Sequence, residues 1–115
     1  NQTNFENSNL NQANLRSAYA SGANFKDAFL IKAYFENAFL IKANFANAFL
    51  MEADLKNCYL MGADFENASL YKADLRGAKG LTVEQLSKVK TLYLARFDDE
   101  ILQQIKTNLP ELVGA

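Results

Sequence analysis

Large apolar residues recur at every fifth position of the chain, from residue 5 to residue 75. We call these positions the centres, and Ala20 is the one small residue among them. The large centres are Phe5, Leu10, Leu15, Phe25, Leu30, Phe35, Leu40, Phe45, Leu50, Leu55, Leu60, Phe65, Leu70 and Leu75. Two residues before each centre stands a small residue, which is Ala in most repeats and Thr3, Ser8 or Cys58 in the others. An internal repeat of this regularity decides the architecture before local propensities are considered.

A period of five suits neither an α-helix nor a flat strand. Five residues advance about 140° net around an α-helix, so successive centres would scatter over its surface. On a strand an odd period sends successive centres to opposite faces. The pattern is buried on one side only if the chain turns a corner once in each pentad. We therefore predict a narrow solenoid with the centres inside and the small residues close to the corners, although the Ala and Leu content favours helix.

Residues 1–80 resemble the pentapeptide-repeat family, whose unit reads Ala-(Asp/Asn)-(Leu/Phe)-X-X and which is abundant in cyanobacteria. The unmodified copies begin at Ala13, Ala23, Ala43, Ala53, Ala63 and Ala73. The resemblance implies an all-β solenoid, a right-handed quadrilateral β-helix with four pentads in each coil. Sixteen pentads then give about four coils, each rising by one strand spacing of ~4.8 Å.

Charges twenty residues apart support this register. Arg16, Glu36, Lys56 and Arg76 fall in one predicted column, and Lys32, Glu52 and Lys72 fall in another. Their signs mostly alternate, as is favourable for cross-strand neighbours. Asn37 would also stack on Asn57, and Asn47 on Asn67. A ten-residue period would produce part of the same order, so four sides per coil follow partly from the family.

The repeat ends at Gly80, and residues 81–115 are predicted to form a C-terminal helical cap. Thr82 to Gln85 reads as a capping box, and Val83, Leu86 and Val89 are spaced as one helical face. A second helix is predicted to begin at Asp98 or Asp99, with an apolar face listed as Ile101, Leu102, Ile105 and Leu109. Between the helices, Leu92 to Phe97 resembles one returning pentad. The alternative to a cap over the last coil is a helix pair that binds a partner.

Composition excludes several classes of function. The net charge is −1, with 12 basic and 13 acidic residues, and this gives no electrostatic case for nucleic acid. The chain has no His and a single Cys, so it lacks the commonest general base, an intrachain disulfide and a Cys/His metal site. No apolar run is long enough to cross a membrane. We expect no enzyme activity, no cofactor and no small-molecule substrate, and we read Cys58 as a buried thiol in a small-residue position.

Two opposite sides of the predicted tower carry apolar side chains where the family usually has polar ones. The candidate protein contacts on one side are Phe29, Ile31, Phe49, Met51 and Tyr71. Those on the opposite side are Tyr19, Phe39, Ile41, Tyr59 and Met61. Tyr34 is a further aromatic departure from the family pattern. These stripes suggest contact surfaces, although aromatic stacking that stabilises the ladder explains them as well.

The primary hypothesis is a non-catalytic protein-interaction or scaffold module, with a protein partner or self-association. Some members of the family mimic DNA and bind topoisomerases such as gyrase, which is the alternative. It is disfavoured because residues 1–79 contain eight acidic and eight basic side chains and are neutral overall. A further alternative is an accessory repeat domain of a larger protein, since the chain starts at Asn1 without Met and without a predicted N-terminal cap. Cytoplasm, periplasm and thylakoid lumen are all compatible compartments.

Overall fold

Residues that are twenty apart in sequence lie side by side in space. The computed structural model describes residues 3–114 and shows a right-handed quadrilateral β-helix. Each side of a coil is held to the next coil by a single parallel bridge rather than by a long strand, for example Asn24 to Asn44 and Phe29 to Phe49. The bridges join residues at intervals of twenty up to Lys79, so four pentads form one coil. The coordinates therefore show the four sides independently of the family.

We number the sides by the outward residue that precedes each centre. Side 1 carries Asn4, Asn24, Asn44 and Asp64, and side 2 carries Asn9, Phe29, Phe49 and Ser69. Side 3 carries Asn14, Tyr34, Asp54 and Asp74, and side 4 carries Tyr19, Phe39, Tyr59 and Lys79. Sides 2 and 4 lie on opposite walls of the tower.

Every corner is a tight turn made by the two residues that follow a centre. The carbonyl of a centre accepts from the amide three residues later, as Leu40 does from Ala43 at 3.0 Å. The second corner residue has positive φ, which L-residues other than Gly adopt at a cost of about 1–2 kcal/mol. Among residues 3–80, twelve non-glycine residues occupy this position, with φ between 58° and 66°. At Gly77 an added Cβ would also meet the Asn57 side chain, which would have to move to make room for it.

The interior is filled by the centres and the small residues, as the sequence predicts. From Ala23 to Leu75 these positions are at most 3% exposed, whereas the centres of the first coil are only partly buried. Phenylalanines stack along one inner column, with ring centroids 5.0 Å apart for Phe25 and Phe45 and 5.3 Å apart for Phe45 and Phe65. Phe35 meets Phe25 edge-to-face at 5.6 Å. A small side chain suits the other inward position, because Ala or Cys58 there lies between these larger groups.

The Asn or Asp before a centre makes a local hydrogen bond that closes the corner. Its side-chain oxygen accepts from the backbone amide two residues later, as Asn24 Oδ1 does from Lys26 and Asp64 Oδ1 from Glu66, both at 2.9 Å. Asx turns of this kind compete well with regular ladders. An aromatic residue at the same position gives up this bond, so its presence on sides 2 and 4 needs another explanation.

Three short helical elements follow the repeat. Helix α1 spans Val83–Leu86, helix α2 spans Asp99–Asn108, and a 3₁₀ turn spans Pro110–Leu112. The predicted capping box at Thr82 and Gln85 is confirmed, and Asp98 is the residue before α2. The predicted helical face through Val89 was wrong in part, because α1 ends at Leu86 and Val89 is buried beyond it. Neither helix in residues 3–114 has the length and apolarity needed to cross a lipid bilayer.

The segment between the helices adds one more partial coil. Thr91 bridges Ser69 and Arg96 bridges Asp74, which are spacings of twenty-two residues. The two extra residues are taken up around α1, and the predicted pentad at Leu92 to Phe97 is confirmed, with both residues buried. Division of the chain into domains at residue 80 stays a prediction, since the bridges continue past that point.

The predicted columns of alternating charge form no ion pairs within residues 3–114. Lys56 Nζ instead lies 3.0 Å from Asp54 and 3.9 Å from Asp74 on side 3, and Arg76 lies 2.7 Å from Asp74. Burial opposes ionisation of Asp74, but its hydrogen bonds to Arg76 outweigh burial and lower the pKa of the carboxyl. The corner side chains turn back onto the Asp of their own repeat because that contact is nearer. Of the two Asn columns, Asn67 donates to Asn47 at 2.9 Å.

Candidate protein-contact surfaces

Side 4 carries a continuous stack of three aromatic rings. Tyr19 and Phe39 are 5.0 Å apart between ring centroids and Phe39 and Tyr59 are 4.6 Å apart, with interplanar angles of 7° and 4°. The Lys79 ammonium lies 4.8 Å from the centre of the Tyr59 ring and ends the stack. Ile41 and Met61 occupy the adjacent corner column, and Met61 is 43% exposed. We call these five predicted residues, from Tyr19 to Met61, the side-4 stripe.

Side 2 carries the other predicted set, which we call the side-2 stripe. Phe29 and Phe49 stack at 4.8 Å with an interplanar angle of 6°. The adjacent corner column contains Ile31, Met51 and Tyr71, all partly buried. The structure thus gathers the ten predicted residues into two stripes on opposite walls. Their role as protein contacts stays a prediction.

The rings of both stripes stack face to face, so the faces that meet are covered and the ring edges point to solvent. The centroid separations match the rise of one coil and the planes are nearly parallel, so each ring lies across the tower axis. Exposure varies widely, from 89% at Tyr19 to 42% at Phe29 and 38% at Phe49. Such surfaces offer van der Waals contact and the positive edges of aromatic rings, which suit packing against another protein.

Exposed Leu94 and half-buried Tyr93 lie beyond the predicted set. Leu94 is 52% exposed and occupies the corner position with positive φ in the last pentad. Next to it, Tyr93 extends the side-2 corner column, with its ring 6.0 Å from that of Tyr71. The spacing of twenty-two residues at the end of the tower hid both, because a strict period of twenty assigns them to other columns.

Tyr34 belongs to neither stripe. It stands alone on side 3, where the Arg16 guanidinium lies 4.2 Å from the centre of its ring. The ring is 39% exposed. This contact uses Arg16, which was predicted to pair with Glu36.

Cys58 is the single cysteine of the chain and occupies one of the inward small-residue positions. Cys58 is fully buried, its Sγ lies 2.9 Å from the Phe35 carbonyl oxygen, and burial raises the pKa of the thiol to about 12. A thiol with this pKa is a poor nucleophile at neutral pH. Within residues 3–114, no group of three or more His, Cys, Asp or Glu side chains is placed to hold a metal ion.

The coil geometry defines a class of protein, the four-sided β-solenoids built from five-residue repeats. The family described as Pentapeptide repeats matches the sequence in eight copies, over residues 1–37, 28–67 and 50–79. This chain belongs to the pentapeptide-repeat family. Members of the family are generally non-catalytic structural or interaction modules.

Two cyanobacterial structures resemble this chain. HetL from Nostoc sp. strain PCC 7120, a pentapeptide repeat protein involved in heterocyst differentiation regulation, is 32% identical with a TM-score of 0.64. The match covers 65% of this chain and 32% of HetL. Rfr23 from Cyanothece 51142 is 29% identical with a TM-score of 0.66, and the match covers 84% of this chain and 60% of Rfr23. The chain therefore spans about a third of HetL and three fifths of Rfr23.

QnrB1, a plasmid-mediated fluoroquinolone resistance protein, shares the fold alone. It is 22% identical with a TM-score of 0.60, over 97% of this chain and 65% of QnrB1. Among curated proteins, none matches this chain significantly.

Proposed function

We propose that this chain is a non-catalytic protein-interaction or scaffold module that uses its side-2 and side-4 stripes. The observation that carries the proposal is the pair of aromatic stacks on opposite walls. At these positions the fold itself favours Asn or Asp, whose side chains close the corners by hydrogen bonds. An exposed ring at the same position loses that hydrogen bond and its contribution to stability. A role of the ring in binding a partner explains why it stands there.

Stacking alone explains only part of the stripes. Ring pairs at 4.6–5.0 Å contribute roughly 0.5–1.5 kcal/mol each to the ladder. Stacking does not account for the adjacent corner columns, because Ile41 and Met61 do not belong to a ring stack. Met61 is 43% exposed, and together these side chains widen each stripe beyond what ladder stacking needs.

The size of a side favours a different protein over a second copy. The molecule measures 38 × 23 × 20 Å, so a wall of four coils is about 20 Å square. That is roughly 400 Å² on each partner, about half of what a stable dimer interface buries. A partner that reaches around the tower, or contacts both stripes, would bury enough.

The alternative of a DNA mimic lacks the surface it needs. A mimic of the DNA backbone requires a dense array of negative charge, whereas residues 1–79 contain eight acidic and eight basic side chains. Lys56 and Arg76 also neutralise the two aspartates on side 3. We therefore expect no inhibition in a gyrase supercoiling assay, and clear inhibition would favour the alternative.

The proposal is tested with Phe39→Glu on side 4 and Phe29→Glu on side 2. The matched control is Asn14→Asp on side 3, which adds one negative charge and keeps the oxygen that accepts from Arg16. Circular dichroism melts first establish which variants fold. Proteins are then recovered from an extract of the source organism with the wild type and each variant, and every partner found is purified for affinity measurement.

We expect the control to keep the partner and at least one stripe variant to lose it while remaining folded. Sedimentation velocity on the same variants tests self-association. If both folded stripe variants keep every partner and every oligomer contact, the interaction role of the stripes is wrong.

A further inference from the structure

We propose that the recess below Phe49 on side 2 binds an aromatic side chain that is followed or preceded by an acidic residue in a partner protein. This inference rests on the interaction role proposed above and specifies the chemistry of the partner. We call the recess the Phe49 slot. The residues that line it include Phe49, Met51, Asn67, Ser69, Lys90 and Thr91.

The slot exists because the aromatic column of side 2 stops early. Phe29 covers one face of the Phe49 ring at 4.8 Å. The next two residues of the column are Ser69 and Thr91, which are bridged to each other. Their short side chains leave the position of a third ring unfilled. The recess encloses about 450 Å³, which lies within the range of ligand pockets.

The rest of the molecule shows what fits against a free ring face. Five other ring pairs in the chain stack at twenty-residue spacing with centroids 4.6–5.3 Å apart and planes within 12° of parallel. An aromatic ring entering the slot would repeat this geometry on the free face of Phe49. Met51 at the side of the slot adds a thioether, which makes favourable contacts with ring edges.

The charged residues of the slot favour an acidic residue next to the inserted aromatic side chain in the partner. Lys90 is exposed at the lower end and makes no ion pair within residues 3–114. The slot also contains Asp27, but this side chain belongs to the second coil, at the upper end. Between Asp27 and the row of Lys90 lie three coil rises, or about 14 Å. An acidic residue next to the inserted ring can therefore approach Lys90 without meeting Asp27.

The polar atoms of the slot suit a peptide segment. The Thr91 hydroxyl oxygen accepts from the Tyr93 amide at 3.1 Å and keeps its own proton for an incoming carbonyl. The Asn67 amide nitrogen is already engaged with Asn47, so its oxygen is the group left to accept from a peptide amide.

The test uses amide chemical shifts of the ¹⁵N-labelled chain during titration with three capped peptides. The probe is acetyl-Asp-Phe-Gly-amide, and acetyl-Asp-Leu-Gly-amide and acetyl-Asn-Phe-Gly-amide serve as comparisons. We expect the probe to shift the amides of Phe49, Ser69 and Thr91 saturably. The Leu peptide should bind at least about threefold more weakly through loss of stacking, and the Asn peptide about threefold more weakly through loss of the ion pair.

Variants test the stacking contact with Phe49 and the ion pair with Lys90 separately, each with its own control. Ser69→Phe supplies the third ring from the chain itself and should abolish binding. Asn9→Phe extends the same stack at its other end and should leave binding unchanged. Lys90→Ala should remove the preference for the Asp peptide over the Asn peptide, whereas Lys42→Ala, on a corner next to side 4, should keep it. If Ser69→Phe does not fold, Thr91→Phe fills the slot from the next coil.

The outcomes separate this inference from the broader proposal. No saturable shift at the slot in the wild type, or equal binding of the Leu and Phe peptides, overturns the inference. Binding that survives a folded Ser69→Phe variant overturns it too. None of these results affects the stripe experiment, which depends on Phe29 and Phe39 and on partners from the source organism.

Discussion

The side chain of Gln85 takes the place of a backbone amide for the carbonyl of Ala63. In the preceding coil, the corresponding carbonyl of Ala43 accepts from the Asp64 amide at 2.9 Å. Beyond the coil of Ala63 the chain has left the repeat for α1, and Gln85 Nε2 donates to Ala63 O and also to Leu60 O, both at 2.9 Å. The ladder is therefore completed by a side chain at the end of the tower.

We predict that Gln85→Ala destabilises the protein by about 1–3 kcal/mol, because the Ala63 carbonyl loses its donor and the Leu60 carbonyl keeps only the Ala63 amide. The Thr82 capping box loses one member in the same variant. Gln103→Ala removes an exposed amide from α2 and is the matched control. Denaturant melts of the two variants provide the measurement, and equal midpoints would contradict this account of the cap.

Left-handed corner residues should tolerate Gly better than β-branched residues. Lys42 is exposed and has φ of 61°. Lys42→Val should lower the free energy of unfolding by about 1–2 kcal/mol, and Lys42→Gly should be close to neutral because relief of strain offsets the added freedom of the unfolded chain. Lys26→Val lies at the first corner position, where φ is not positive, and controls for loss of the lysine. A similar loss at both positions would rule out corner strain as the cause.

The buried thiol of Cys58 should make the protein less stable in alkaline solution. Burial raises the pKa of its thiol from 9.0 to about 12, so the folded state favours the protonated form. This contribution is complete below pH 9 and disappears as the pH rises from 9 towards 12, at ~1.4 kcal/mol per pKa unit. Cys58→Ala restores the residue of most other repeats. Chemical denaturation from pH 8 to 11 should show a steeper decline for the wild type, and parallel curves would contradict the prediction.

Core substitutions should matter more in the middle of the tower than in its first coil. Leu50 is fully buried between neighbouring coils, whereas Leu10 is partly buried. Leu50→Ala should cost about 2–5 kcal/mol, as for other buried leucines. Leu10→Ala should cost no more than half as much. Thermal and urea melts distinguish the two variants, and equal losses would show that the first coil is as tightly packed as the third.

The five-residue period was sufficient to predict the interior, because each buried position follows from one arithmetic rule. Phe25, Leu40 and Ala48 all lie where that rule places them. The capping box at Thr82 was equally readable, since its two partners are three residues apart. Long-range consequences of the period, such as the stack of Phe39 on Tyr59, followed once twenty residues were assigned to a coil.

Contacts that depend on side-chain reach could not be read from the period. Lys56 was assigned to a column of corner charges, yet it folds back to Asp54 at 3.0 Å. Asp98 resembles a helix cap, but its carboxylate accepts from the Gly77 amide at 3.0 Å. The two extra residues around α1 also displaced Leu94 from the column that counting would give it. Each wrong prediction arises where a flexible side chain can reach several nearby partners, or where an insertion shifts the register of the residues that follow it.

Because every complete coil of the repeat contains twenty residues, the length of the tower can change only by whole coils if the rest of the structure is to stay the same. Excising residues 33–52 would join Lys32 to Ala53 with every corner type and every inward position unchanged, and the C-terminal end would still fit onto the coil that precedes it. The distance between its two ends can thus change in steps of ~4.8 Å, while a deletion that is not a multiple of five residues would turn the following leucines outward into water. Length in this molecule is a countable property, which duplication or loss of one turn can alter without redesigning anything else.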